Sequence, residues 1–164
     1  MPDAAYEELA EEFFRRAARI AWAVVATVDT TGRPRTRVLH PVWESPGPTA
    51  FIGTRPASLK ARHLERTPFV SLTYWDPQQA VAAAECRTEW VADDDERARV
   101  WELIRTTPEP QGYDPATLWS GPTDPGFGVL RLDAYRLELS GQPEIATGVV
   151  RRTWRASTTP AAGR

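Results

Sequence analysis

Residues Trp22–Glu44 read WAVVATVDTTGRPRTRVLHPVWE, and the folding of this stretch decides the rest. Trp22 to Val28 is a run of β-branched and small apolar residues, and Asp29-Thr30-Thr31-Gly32 has turn chemistry. Arg33 to Glu44 returns as a second strand, so the pattern predicts an antiparallel hairpin. Before it, Asp3 to Ile20 reads as an amphipathic helix capped by Asp3, with Tyr6, Leu9, Phe13 and Ala17 at helical spacing. After it, SPGP (45–48) turns the chain into a third strand, TAFIGT (49–54). Ser58 to Arg66 is a short helix, with Ala57, Ala61 and Leu64 at i, i+4 and i+7 and Thr67-Pro68 as its stop.

FVSLTYW (69–75) and Ala80 to Val91 read as strands, although alanine is a weak strand former. Asp93 to Arg105 is a capped helix with Val100, Leu103 and Ile104 inward. Residues 106–126 form a proline- and glycine-rich connection, and 127–141 alternate as a final strand, with Leu130, Leu132 and Ala134 on one face. Patterning weakens after Gly141, and STTPAAGR is expected to be disordered. The division is therefore one domain over 1–150 and a tail over 151–164. Strands joined by short turns with few helices give a mainly β fold, an antiparallel sheet closed into a small barrel with flanking helices.

At 164 residues, 41% hydrophobic and 26% charged, the composition is that of one globular domain. A net charge of −2 argues against a nucleic-acid binder, which carries a basic excess. The acidic start MPDAAYEELAEEFF lacks the pattern of a signal peptide, and no apolar run approaches the ~20 residues of a membrane span. A single cysteine, Cys86, fits a reducing cytoplasm. Two histidines, His40 and His63, assemble no zinc site, and G-x-S-x-G, the P-loop and G-x-G-x-x-G are missing. His63 reads as a surface residue, Cys86 as a small core residue, and 93–96 as helix N-terminal charge. No catalytic or metal-ligating side chain is expected, so a cofactor should carry any chemistry. Seven tryptophans either fill the core or offer flat surfaces to a planar ligand or a second copy.

Two basic elements stand out. On a strand, Arg35, Arg37, Leu39, Pro41 and Trp43 share one face by period 2, and Pro41 suggests a sheet edge. In FIGTRPASLK (51–60), a strand runs into a helix whose start carries Thr54, Arg55, Ser58 and Lys60, donors suited to an anion. Solvated surface charge explains either element alone.

The order of helix, hairpin, FIGTRPASLKARHLERTP and FVSLTYWDP resembles the pyridoxamine 5′-phosphate oxidase-like flavin-binding split-barrel superfamily. The likeness spans roughly residues 5–105. DDERARVWELI and FGVLRLDAYRLEL are similar to the helix and last strand of its smaller stress-protein-type members. The resemblance implies a homodimer that binds FMN, or alternatively the deazaflavin F420, at its interface. It places Arg37, Val38 and Leu39 beside the isoalloxazine and phosphate, Thr54, Ser58 and Lys60 in the phosphate turn, Ile52 and Gly53 as backbone contacts, and Gln79 as a polar ring contact. The turn is one residue longer than in the oxidases, and Leu59 stands where they carry a basic residue, with Arg55 as the substitute charge. The C-terminal region lacks their pyridoxal phosphate-holding segments, so pyridoxamine phosphate oxidation is not expected. The implied function is hydride transfer with a small organic substrate, in a pocket walled by Trp43, Trp75 or Trp119. A flavin- or haem-binding protein without turnover is the alternative, and neither nucleic acid nor membrane is an expected partner.

Overall fold

The computed structural model describes residues 4–157. Helix α1 (Ala4–Ile20) leads into β1 (Ala23–Val28), β2 (Pro34–Leu39), β3 (Val42–Trp43) and β4 (Thr49–Thr54). Helix α2 (Leu59–Arg66) precedes β5 (Phe69–Trp75) and β6 (Ala80–Trp90). Then come α3 (Asp94–Thr106), β7 (Gly128–Gly141), α4 (Gln142–Ile145) and β8 (Arg151–Arg155). The eight strands form one antiparallel sheet in the order β2-β1-β5-β6-β7-β4-β3, with β8 paired to β7. Its two end strands, β2 and β3, are separated in the chain by His40-Pro41 alone. A flat sheet would hold those ends five strands apart, so the sheet must curl into a barrel closed by the covalent chain.

The expected Arg33–Glu44 strand is therefore two strands. Leu39 pairs with Ala23 and Val42 with Phe51, so the chain changes partners at His40-Pro41. Pro41 brings no N–H to either ladder, which is why the break falls there. The assumed common face breaks with it: Arg35 is exposed while Trp43 is buried.

Inside the barrel, Val25, Leu72, Tyr74, Ala82, Ala84, Leu132 and Leu137 meet Leu9, Phe13 and Ala17 of α1. Each fully buried Leu or Phe contributes about 2 kcal/mol. The alanines of β6 alternate, with Ala80, Ala82 and Ala84 buried, because small side chains suit a strand beneath aromatic neighbours. A register shift between Glu85 and Cys86 leaves Tyr135 as the extra residue of β7. The inward set accordingly changes from Leu130, Leu132 and Ala134 to Leu137 and Leu139. A second cluster lies under α3, where Phe51, Val100, Trp101, Ile104, Phe127 and Val129 pack together. Asp93 caps α3, its carboxylate accepting from the Glu96 N–H at 2.8 Å; Asp3, the expected cap of α1, lies outside the described residues.

The expected tail is in part structured. Arg151–Arg155 pair with Ser140–Arg136 of β7, so the sheet continues past residue 150. Glu144 of α4 is buried against Arg16 of α1 at 2.7 Å, and Arg16 also donates to the carbonyls of Val81 and Ser140. The last seven residues of STTPAAGR lie outside the described ones.

Candidate functional site

Strand β2 has a hydrogen-bonded neighbour on one side, and α2 packs beside it against β1. Between β2 and the start of α2 lies a cleft of 790 Å³, walled by Arg35, Thr36, Arg37, Ser58, Lys60 and Arg62, with Asp29 and His63. Ser58 is the N-cap residue of α2 in extended conformation, yet its side chain makes no capping bond. Instead its Oγ accepts from Lys60 Nζ at 3.2 Å, which leaves the first N–H groups of α2 without a side-chain cap.

Arg37 is half-buried and donates from Nη1 to the Val25 carbonyl at 3.2 Å. Burial lowers its pKa, and burial followed by the charge of Arg37 lowers that of Lys60. Arg35, by contrast, pairs with Asp29 at 3.0 Å. Among the described residues no carboxylate pairs with Arg37 or Lys60. Two partly desolvated cations that repel one another, with uncapped amides beside them, make a site that gains from a bound anion.

Where β2 runs on from Arg37 to Val38 and Leu39, the wall becomes apolar. Val38 and Leu39 face Ile52 and Gly53 of β4 across a pocket of 410 Å³, completed by Trp22, His40, Tyr113 and Leu118. The 106–126 connection builds the far wall. Its Tyr113 N–H donates to the Ile104 carbonyl at 3.2 Å, and a 3-10 turn at Pro115–Thr117 follows. The His40 ring lies between Trp22 and Tyr113, with centroids 4.5 and 4.9 Å away, and Nε2 is 3.1 Å from the Pro110 carbonyl oxygen. Burial pushes His40 below its ordinary value, against the opposing pull of the Pro110 and Gln111 carbonyls. Burial pushes the Tyr113 phenol up to about 12.

The expected site residues thus divide. Arg37, Ser58 and Lys60 meet in the basic cleft, and Val38, Leu39, Ile52 and Gly53 in the adjoining apolar pocket. Thr54 is buried opposite Gly128 and lines neither cavity, and Arg55 projects into solvent. Gln79 sits at the β5–β6 turn with φ +62°, accepting from Trp75 Nε1 at 3.2 Å, away from both cavities of its own chain. The three tryptophans expected to wall one pocket do not converge. Trp43 is a core residue whose Nε1 donates to the Tyr74 hydroxyl at 2.9 Å. Trp75 is 55% exposed on the outer sheet face, and Trp119 packs on Phe127.

Trp22, His40, Tyr113 and Leu118 take their place in the pocket. His63, expected at the surface, is 3% exposed. Its position beside Leu64 and two after Ala61, both buried, was the available signal. On the outer face of the sheet, Val24 lies opposite Val38 and Thr73, and Trp22, Val24, Val38 and Trp75 form an exposed apolar surface.

The family model of pyridoxamine 5′-phosphate oxidase matches residues 7–140, from within α1 to the end of β7. The chain belongs to this family. Solved structures share its fold. A protein related to general stress protein 26 from Clostridium acetobutylicum is 13% identical, with a TM-score of 0.71 over 91% of this chain and 95% of the other. A pyridoxamine 5′-phosphate oxidase-related, FMN-binding protein from Nostoc punctiforme is 18% identical, with a TM-score of 0.63 over 94% and 91%. HutZ, the haem storage protein of Vibrio cholerae, is 20% identical, with a TM-score of 0.58 over 77% and 89%. No curated protein matches. The family's split barrel, an eight-stranded antiparallel sheet with flanking helices, is the fold seen here.

Proposed function

We propose that this chain is an FMN-dependent oxidoreductase whose cofactor phosphate lies between Arg37, Ser58 and Lys60. The isoalloxazine would extend over Val38 and Leu39 towards Ile52 and Gly53. The observation that carries this reading is the pair of half-buried cations, Arg37 and Lys60, with which no carboxylate among the described residues pairs, continuous along β2 with an apolar pocket. The fit is chemical: an anion neutralises the cleft, and a flat ring system matches a narrow pocket of apolar walls with a few polar atoms. FMN, when bound, supplies hydride transfer; the chain's residues anchor the phosphate, orient the ring and exclude water beside it.

A second copy of the chain would cover the Trp22, Val24, Val38 and Trp75 surface, and Gln79 would act across that interface. We place the protein in the cytoplasm, where the buried Cys86 stays reduced, with a small molecule as substrate and no nucleic-acid or membrane partner. Among the described residues no helix is long and apolar enough to cross a membrane.

F420 is the second reading, favoured by Arg62 lining the same open cleft as a third cation beyond Arg37 and Lys60, more than one phosphate requires. Purification from a host that makes both cofactors, with absorption spectra and mass of what copurifies, separates the two. Arg37→Ala with Lys60→Ala should weaken FMN binding by at least tenfold. A colourless protein that takes up neither cofactor on reconstitution overturns the reading. Absence of NAD(P)H- or substrate-dependent cycling in the loaded protein would make it a carrier.

A further inference from the structure

We infer that His63 is a direct ligand of the anion in the basic cleft, donating from Nε2, with the Thr27 hydroxyl fixing its tautomer. His63 lies one helical turn after Lys60 on α2, and Thr27 lies opposite Arg35 in the β1–β2 ladder. His63 lines the cleft although the residue is 3% exposed, and Thr27 is 2% exposed. Thr27 Oγ1 is 2.8 Å from His63 Nδ1. Among the described residues no hydrogen bond reaches Nε2. Thr27 pairs one of the two ring nitrogens, and the other is left for an acceptor that enters the cleft.

A neutral imidazole has one N–H and one lone-pair nitrogen. When the threonine hydroxyl donates to Nδ1, the proton resides on Nε2, in the cleft that Lys60 and Arg37 line. His63 thereby adds a neutral directional donor to the guanidinium fork of Arg37 and the point charge of Lys60, and it ties the anion site to β1 through Thr27. This assignment rests on the cleft being the phosphate end of the cofactor site.

The test is 15N NMR of the full chain labelled at histidine, titrated with inorganic phosphate. Phosphate should shift the His63 nitrogens and leave Nε2 protonated and Nδ1 unprotonated, with His40 unaffected. His63→Asn keeps an acceptor towards Thr27 but loses the cleft donor. It should lower FMN affinity about tenfold without changing riboflavin affinity, the size expected for one charge-assisted hydrogen bond. His63→Gln keeps an N–H near the Nε2 position and should recover most of that loss. A purely structural histidine would change stability in both variants and leave the FMN-to-riboflavin ratio alone, which overturns the assignment. Unmoved His63 nitrogens at saturating phosphate overturn it on the wild-type chain, whether or not the variants fold. Wild-type protein that binds neither phosphate nor FMN overturns the cofactor reading, and this assignment with it.

Discussion

Gly53→Ala tests whether Gly53 is set by packing rather than by a ligand. A Cβ at this position would lie 3.0 Å from Phe127 Cε2, 3.1 Å from the Tyr113 hydroxyl and 3.4 Å from Trp119 Cη2. Phe127 and Tyr113 must each retreat by a few tenths of an ångström. Phe127 cannot do so freely, because it is fully buried between Trp101 and Trp119, whose ring centroids are 5.1 and 5.0 Å away. Overpacking of this kind costs about 1–3 kcal/mol. Replacing glycine within a strand returns about 0.5–1 kcal/mol of chain entropy. The middle of these ranges leaves a net loss of about 1.3 kcal/mol, which for a domain of this size lowers Tm by roughly 3–5 °C. Calorimetry of the cofactor-free protein measures it. Gly121→Ala, whose Cβ would meet nothing within 4 Å, is the control and should melt like the parent. A Gly53→Ala protein that melts within 1 °C of the parent would refute the packing argument and leave ligand approach as the reason for glycine there.

Lys60→Met should move two quantities in opposite directions: FMN affinity falls by about tenfold, while the cofactor-free protein becomes more stable by up to about 1 kcal/mol in denaturant titration, because a half-buried cation beside Arg37 is gone. Leu72→Ala, at a fully buried site inside the barrel, should cost about 2–5 kcal/mol by the same titration. Glu144→Ala removes one of the two carboxylates on the buried Arg16, leaving Glu12 at 2.6 Å, and should cost about 1–3 kcal/mol, with Arg16→Met combined with Glu144→Leu recovering most of it. The amides of Ser120 and Gly126 hold the Asp124 carboxyl below its ordinary value. On acidification the unfolded chain therefore takes up its proton first, so the stability from Asp124 is present above about pH 4 and lost as pH falls below it. Asp124→Asn should show a flatter stability profile between pH 5 and pH 3, followed by tryptophan fluorescence.

The elements with strong local signals were legible in the sequence. The hairpin at 22–39, the capped α3 and the strand FVSLTYW each carry periodicity and punctuation of their own. The β2–β3 break was not, because a proline-induced change of partner leaves the alternation on either side undisturbed. Tyr135 hides for a related reason: a bulge inverts the parity of the strand beyond it without altering composition. β8 lacks an alternating apolar pattern because Arg151, Thr153 and Arg155 face outward from an edge strand, and half-buried Trp154 is its one large apolar anchor. At the site, Arg37, Ser58 and Lys60 were readable because they fall within two short segments. Tyr113 and Leu118 were not, since they reach the pocket from a connection with no periodicity. His63 was misread because a histidine beside Arg62 on a short helix looks solvated until β1 is placed beneath it.

The contacts of Arg16 constrain the order in which the molecule can be completed during synthesis. Its partners beyond α1 are the Val81 carbonyl, the Ser140 carbonyl and the Glu144 carboxylate, between 65 and 128 residues further along the chain. Helix α1 emerges from the ribosome before every strand of the barrel but cannot complete the contacts of this guanidinium until α4 has been made. Until then its apolar face, with Leu9, Phe13 and Ala17, has no finished barrel to cover. The nascent chain therefore carries an amphipathic helix without its barrel while the segment from β1 to α4 is being made, and residue 144 is where the last partner of Arg16 arrives.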